Sequence, residues 1–187
     1  MTNTTRYVAF LRGINVGGNK LIKMEALAAV FRAAGFRNVR TYIASGNVIF
    51  DSRGTNTDIL AKKIEKKLTT NFGHEIAVLV YSLAELEALV ELNPFGRIRR
   101  GKDVMLFVVL LRDKSSRGKL PLESRTEKFK GLALVDRAAF IVARRKKTGW
   151  FGFPNNFIEK EFGVTATTRN WSTLEKILIV ASDEKNQ

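Results

Sequence analysis

Apolar and polar positions alternate along the chain in two periods, and the switches between them delimit the elements. Arg6 to Arg12 is an extended run rich in Tyr, Val, Phe and Leu, and it ends in glycines. Lys23 to Ala34 then changes to helical spacing, with Met24, Leu27, Ala28 and Phe31 on one face and Gly35 as its stop. Val39 to Ala44 and Val48 to Asp51 are short strand-like segments around the turn residues Ser45-Gly46-Asn47, the signature of a hairpin. Thr57 to Asn71 returns to helical spacing. It directs Ile59, Leu60, Ile64 and Leu68 inward and Lys62, Lys63, Lys66 and Lys67 outward, and Gly73 terminates it. Ile76 to Tyr81 is valine-rich and reads as a fourth strand.

The order is β-α-β-β-α-β, a split βαβ or ferredoxin-like unit, in which strands one and three lie side by side at the centre. The remainder is a looser version. Ser82-Leu83-Ala84-Glu85 is a capping box opening a helix that runs to about Leu92, where Asn93-Pro94 ends it. A basic loop, Arg97 to Lys102, leads to the most apolar strand, Val104 to Leu111. A weak helix near Glu123 to Lys130, strands at Leu132 to Val135 and Phe140 to Ala143, and helices at Asn156 to Phe162 and Thr173 to about Ser182 follow. The fold class expected is α+β: a ferredoxin-like subdomain over 1–81, then a degenerate second one over 82–187. Strand one and Val104 to Leu111 are apolar at nearly every position, which implies burial on both sheet faces.

Composition adds boundaries to this plan. A chain of 187 residues with 45% hydrophobic content can bury a core without staples, and the absence of cysteine excludes disulfides, thiolate metal sites and a cysteine nucleophile. Neither Val104 to Leu111 nor Ile177 to Ala181 approaches the ~20 apolar residues that cross a bilayer. No export signal is visible, so a cytoplasmic address without a membrane partner is expected. The formal charge is +14, carried unevenly: residues 1–91 contribute +4 and residues 92–187 contribute +10. Such a field attracts nucleic acid, acidic proteins or anionic metabolites, or serves solubility alone.

The candidate chemistry begins with the loop Leu11-Arg12-Gly13-Ile14-Asn15-Val16-Gly17-Gly18-Asn19-Lys20 between the first strand and helix. Glycines there let the backbone turn and expose amide N–H groups to an anion; a wide turn with glycines at positive φ is the plainer explanation. It is not a nucleotide P-loop, because Asn19 stands where that motif requires lysine. Antiparallel central strands bring this loop beside Ser45-Gly46-Asn47. Arg12, Gly13, Asn15, Gly17, Gly18, Lys20, Ser45 and Asn47 are therefore the candidate ligand residues, with Tyr42 near the rim; ordinary turn chemistry also explains Ser45 and Asn47. A separate basic and aromatic stretch, Arg144-Arg145-Lys146-Lys147 followed by Trp150, suits phosphates and stacked bases, although a solvated strand end followed by core aromatics explains it too. His74 is the only histidine, no cluster has metal-ligand spacing, and Glu85 with Glu87 or Glu159 with Glu161 read as solvated faces. These patterns contain no recognisable catalytic constellation and leave any catalytic residue unknown; no metal or cofactor is expected.

The string Arg6-Tyr-Val-Ala-Phe-Leu-Arg-Gly-Ile-Asn-Val-Gly-Gly, then Thr41-Tyr-Ile-Ala-Ser-Gly-Asn-Val-Ile-Phe, then Thr168-Arg-Asn-Trp-Ser-Thr resembles bacterial domain-of-unknown-function family 1697. The resemblance spans nearly the whole chain and implies ferredoxin-like subdomains with no established activity. Gly152-Phe153-Pro154-Asn155 departs from that family's pattern. The resemblance also draws Arg169 and Asn170 into the ligand set. Arg169 is positioned to meet an anion or to lock the two halves together as a buried Arg, while Ser172 and Glu175 form a capping box with Trp171 as its hydrophobic staple. The leading functional expectation is a binder of an anionic partner, nucleic acid first. The alternatives are an enzyme acting on a phosphorylated or carboxylated small molecule and a protein-interaction module using the basic half. Oligomeric state is left open.

Overall fold

The computed structural model describes residues 4–18, 21–115, 120 and 122–183. The chain forms two compact units, one comprising residues 1–87 with 177–187 and the other residues 88–176. The fold is α+β, built on two antiparallel sheets.

In the first unit, β1 (Thr5–Leu11), α1 (Met24–Ala33), β2 (Arg37–Tyr42), β3 (Asn47–Ser52), α2 (Thr57–Phe72) and β4 (Val78–Ser82) follow the expected order. The sheet runs β2-β3-β1-β4, so strands one and three are the central pair. Alternation decides the core. Tyr7, Ala9, Leu11, Val48, Phe50, Val78 and Val80 share one face and pack against Leu27, Val30 and Phe31 of α1 and Leu60, Ile64 and Leu68 of α2. The opposite side, with Val8, Phe10, Ile49, Leu79 and Tyr81, is buried as well, as the continuous apolar pattern of β1 implied. Ile59 departs from expectation at 63% exposure. It stands one position off the Leu60, Ile64, Leu68 stripe, and Ala61 takes the inward place instead.

Local chemistry fixes the ends of these elements. Asn56 caps α2, its Oδ1 accepting from Asp58 N and Ile59 N at 3.0 Å each. Gly35 closes α1 in a left-handed conformation, with its N–H donating to Arg32 O and Phe36 N–H to Phe31 O. The Ser82 box is formed in full: Ser82 N donates to Glu85 Oε2 at 2.7 Å and Glu85 N to Ser82 Oγ at 3.2 Å, opening α3 (Leu83–Glu91).

The second unit contains β5 (Val104–Leu111), β6 (Glu123–Ser124), β7 (Phe129–Val135), β8 (Ala138–Arg144), α4 (Asn155–Phe162) and β9 (Ala166–Asn170), and the chain continues into α5 (Trp171–Ser182). Its sheet order is β6-β7-β8-β5-β9. Without β6 this repeats the order of the first sheet, with β5, β7, β8 and β9 in the places of β1, β2, β3 and β4. Among the described residues the first crossover helix has no counterpart. The helix expected over Glu123 to Lys130 is instead a tight hairpin: Glu123 pairs with Lys130 and Ser124 with Phe129, and Lys128 takes a left-handed φ of 52° at the turn. Burial of Leu122 and Phe129 beside the sheet outweighs the helical propensity of the charged residues between them. β9 was not anticipated as a strand, because Ala-Thr-Thr-Arg-Asn carries no alternation of large apolar residues.

α4 covers one face of this sheet, with Ile158 and Phe162 against Phe107, Val109, Ile141 and Ala143. On the other face Phe95, Phe140 and Trp171 meet edge to face. α5 begins at Trp171, so Ser172 lies inside the helix rather than capping it, and Glu175 accepts from Arg100 Nη2 at 3.1 Å. The boundaries between the two units fall within α3 and again within α5. Among the described residues no helix is long and apolar enough to cross a membrane.

Candidate functional site

The glycine loop and the Ser45-Gly46-Asn47 turn do meet. Leu11 N donates to Gly46 O at 2.8 Å, and the Asn15 side chain fastens the two: its Nδ2 donates to Ala44 O at 2.8 Å and to Ile22 O at 3.0 Å, while its Oδ1 accepts from Ile22 N at 2.8 Å. Gly46 is required twice over. Its φ is +76°, and a Cβ there would fall 2.8 Å from Ile14 Cδ1 and 2.9 Å from Leu11 Cβ. Gly13, Gly17 and Gly18 also have positive φ, but a Cβ on any of them meets nothing within 4 Å. Backbone conformation alone accounts for these three.

The two asparagine side chains at this end, Asn15 and Asn47, are engaged by the protein's own atoms. Asn47 is fully buried, and its Nδ2 donates to Tyr42 O and to Ser45 Oγ, both at 3.0 Å. Arg12 lies toward β4, with its N–H on Ala77 O at 2.9 Å, and lines an open cleft together with Glu65 and Glu75. Lys20 lies outside the described residues.

Arg169 and Asn170 belong to the other unit. Arg169 sits in β9 opposite Val108, only 8% exposed, with Nη1 donating to Thr167 Oγ1 at 2.8 Å and to Thr168 O at 2.9 Å. Burial pushes its guanidinium pKa down to about 10, which leaves it charged at neutral pH. Asn170 is exposed at the end of the strand.

The basic stretch after β8 separates into distinct roles. Arg145 is a structural clasp: its Nε donates to Asp103 Oδ1 at 3.0 Å, Nη1 to Gly149 O at 2.8 Å and Nη2 to Lys102 O, and its guanidinium lies 4.9 Å from the Phe151 ring centroid. Lys146 Nζ pairs with Glu127 Oε2 at 2.7 Å, and Lys146 N donates to Trp150 O. The loop is thereby pinned at both ends. Gly152 permits the close approach, since a Cβ there would sit 2.2 Å from Glu127 O. Lys147 and Trp150 project from this fixed loop, and Trp150 is 78% exposed.

Arg144 points to the other side of β8, into a cleft of about 590 Å³ over β6, β7 and β8. Arg125, Lys128 and Lys130 line the same cleft against the single carboxylate of Glu123, above an apolar floor of Ile98, Phe129, Leu132 and Val142. These three cations were not singled out from the sequence. They are spread through a segment read as a helix, and only the hairpin gathers them. His74 is exposed, and among the described residues no group of His, Asp and Glu is arranged to hold a metal ion.

The two segments joined by Asn15 both fall within residues 4–140, which match the family described as protein of unknown function (DUF1697). The chain belongs to that family. The family match therefore covers Arg6 to Gly18 and Thr41 to Phe50, while the Thr168-Arg169-Asn170-Trp171 segment lies beyond it. No curated protein matches the chain. A solved structure of the conserved bacterial protein SP0830 from Streptococcus pneumoniae shares the fold at 20% sequence identity, with a TM-score of 0.69, covering 96% of this chain and 100% of that one. In this DUF1697 chain the loop and turn motifs form a backbone junction that closes one end of the first sheet, and the exposed Trp150 and the cationic cleft lie in the second unit.

Proposed function

We propose that the chain binds single-stranded nucleic acid through its second unit, in the cytoplasm. The observation that carries this reading is Trp150, 78% exposed on a loop that Arg145 and Lys146 hold in place. A large aromatic surface left in water costs hydrophobic free energy, and holding it on a fixed loop suits a face on which a base stacks. Lys147 beside it and the cations of the neighbouring cleft supply phosphate contacts; the Lys146–Glu127 ion pair ties the Trp150 loop to the turn that carries Arg125 and Lys128. The excess of +10 over residues 92–187 steers a polyanion to this half. Single strands are favoured because stacking needs unpaired bases.

The chain reports on its own site. Of its two tryptophans, Trp171 is buried and Trp150 exposed, so titration with short oligo-uridine and oligo-thymidine should quench the Trp150 emission and leave the Trp171 emission. Stacking is worth about 1–3 kcal/mol per base, so Trp150→Ala should weaken binding roughly 10-fold to 100-fold. Log affinity should fall with log salt by about 0.7 per phosphate contacted. Absence of binding at low salt, or full affinity in Trp150→Ala, would overturn the reading.

A further inference from the structure

A second, unrelated concentration of charge lies in the first unit, at the outer edge of its sheet. A regular strand would place Arg37 and Arg40, three residues apart, on opposite faces. Here they share one side. Arg37 pairs with Asp51 and Arg40 with Ile49, so three steps along β2 span two along β3, and the extra residue is a β-bulge with Asn38 at a left-handed φ of 49°. The bulge brings both guanidiniums to a cleft of about 460 Å³, which Arg6 and Arg32 also line. Bulges are found next to binding sites because they re-aim side chains in this way.

The cleft is organised from beneath. Arg6, Asp51 and Arg37 stand in one cross-strand row over β1, β3 and β2. Asp51 accepts from Arg6 Nε at 2.9 Å, from Arg6 Nη2 at 3.3 Å and from Asn38 Nδ2 at 2.7 Å, and thereby fixes both the first arginine and the bulge. Arg6 Nη1 further donates to Ala181 O in the last turn of α5 at 2.7 Å and Arg40 Nη1 to Asp183 O just beyond it at 3.3 Å, orienting these guanidiniums. Of the four arginines, Arg6 is matched by Asp51 beneath, Asp183 lines the cleft, and Glu25 lines a neighbouring cleft shared by Arg32 and Arg40, but among the described residues no carboxylate forms an ion pair with Arg32 or Arg37. Two positive charges are left over at the mouth. Phe36 and Val39 supply an apolar wall.

We infer that this cleft binds a phosphomonoester: the dianionic phosphate bridges Arg37, Arg40 and Arg32, and a small organic body lies against Phe36 and Val39. Guanidinium forks match phosphate oxygens in pairs, and a dianion balances the two surplus charges where a carboxylate or a phosphodiester leaves one over. The cleft is larger than phosphate alone needs, which leaves room for the ester group.

Calorimetric titration at constant ionic strength, with inorganic phosphate, glycerol phosphate and dimethyl phosphate, a diester with no base to stack on Trp150, separates the possibilities. The first two should give saturable heat and the diester none. Arg37→Gln with Arg40→Gln should weaken glycerol phosphate binding tenfold or more, since each charge-assisted hydrogen bond lost is worth about one decade. Far-ultraviolet circular dichroism checks that the variant is folded, and the conservative Arg37→Lys should retain part of the affinity. Trp150→Ala should bind glycerol phosphate as the parent chain does, so that this site and the nucleic-acid reading stand or fall separately. No heat with glycerol phosphate or inorganic phosphate, unchanged binding in the double variant, or equal binding of the diester would overturn the assignment.

Discussion

Two glycines of the same loop-and-turn junction place different demands on the chain. At Gly13 the backbone has φ +67° with open space where a Cβ would be; at Gly46 it has φ +76° with Ile14 and Leu11 in contact range. Gly13→Ala therefore adds only the cost of a left-handed conformation for a residue with a Cβ, about 1–2 kcal/mol. Gly46→Ala adds the same strain and forces a methyl to within 2.8 Å of the buried Ile14 side chain. Overpacking of that kind costs a further ~1–3 kcal/mol. In urea titrations the midpoint should fall for both variants, and by roughly one and a half to four times as much for Gly46→Ala. Equal shifts would mean that the junction yields around Ile14. Asn15 was legible as an important loop residue, but its sequence position pointed to a ligand. Its three hydrogen bonds to Ala44 and Ile22 were not legible, because the partners are backbone atoms that only the folded chain brings near.

At the scale of elements, the Asp51 carboxylate of β3, held by Arg6 of β1 and Asn38 of β2, ties the three strands together and makes the first sheet sensitive to acid. Burial acts to raise the Asp51 pKa, but hydrogen bonds from Arg6 and Asn38 and the charges of Arg6 and Arg40 outweigh it, and the carboxyl titrates below its ordinary value. A carboxyl depressed in the folded state contributes stability that is complete above its unfolded pKa, about 3.9, and that is lost as pH falls through the folded value. Asp51→Asn removes that dependence. Chemical denaturation of both proteins from neutral pH downward should show the parent chain's advantage shrinking below about pH 4; an advantage that stays constant there would show that Asp51 is not the group responsible. Elements of this kind were legible in part. Helical spacing with Gly35 and Gly73 as stops, the hairpin turn and the Ser82–Glu85 box are local signals, and each is realised in the fold. β6 and β9 were not legible, because Glu123-Ser124 and Ala166-Thr-Thr-Arg-Asn become strands through pairing with distant neighbours. The bulge that gathers Arg37 and Arg40 was hidden for the same reason: it exists only in the register with β3.

For the whole molecule, one variable separates the general field of the chain from specific contacts with a partner. A net charge of +14 on 187 residues repels itself in the folded state, where the charges are closest. Ion pairs offset little of this, since those at the surface, such as Lys62–Asp58 and Lys114–Asp136, are largely exposed. Raising sodium chloride from about 0.01 M to 0.1 M shortens the screening length from about 30 Å to about 10 Å, which removes most of the repulsion between distant charges. The melting temperature of the free protein should therefore rise over this range. Chloride is the suitable anion, because sulfate and phosphate stabilise through exclusion from the surface and phosphate is also the probe for the arginine cleft. Affinity for single strands should fall over the same range, because each contacted phosphate releases counterions. The two responses have opposite signs, so a preparation that is merely more stable in salt cannot mimic weakened binding. A melting temperature that falls as salt rises would show that attractive pairs, rather than the net charge, dominate the electrostatics of the fold. Binding that is indifferent to salt would then have to rest on Trp150 stacking alone, with the cations around it contributing only to solubility.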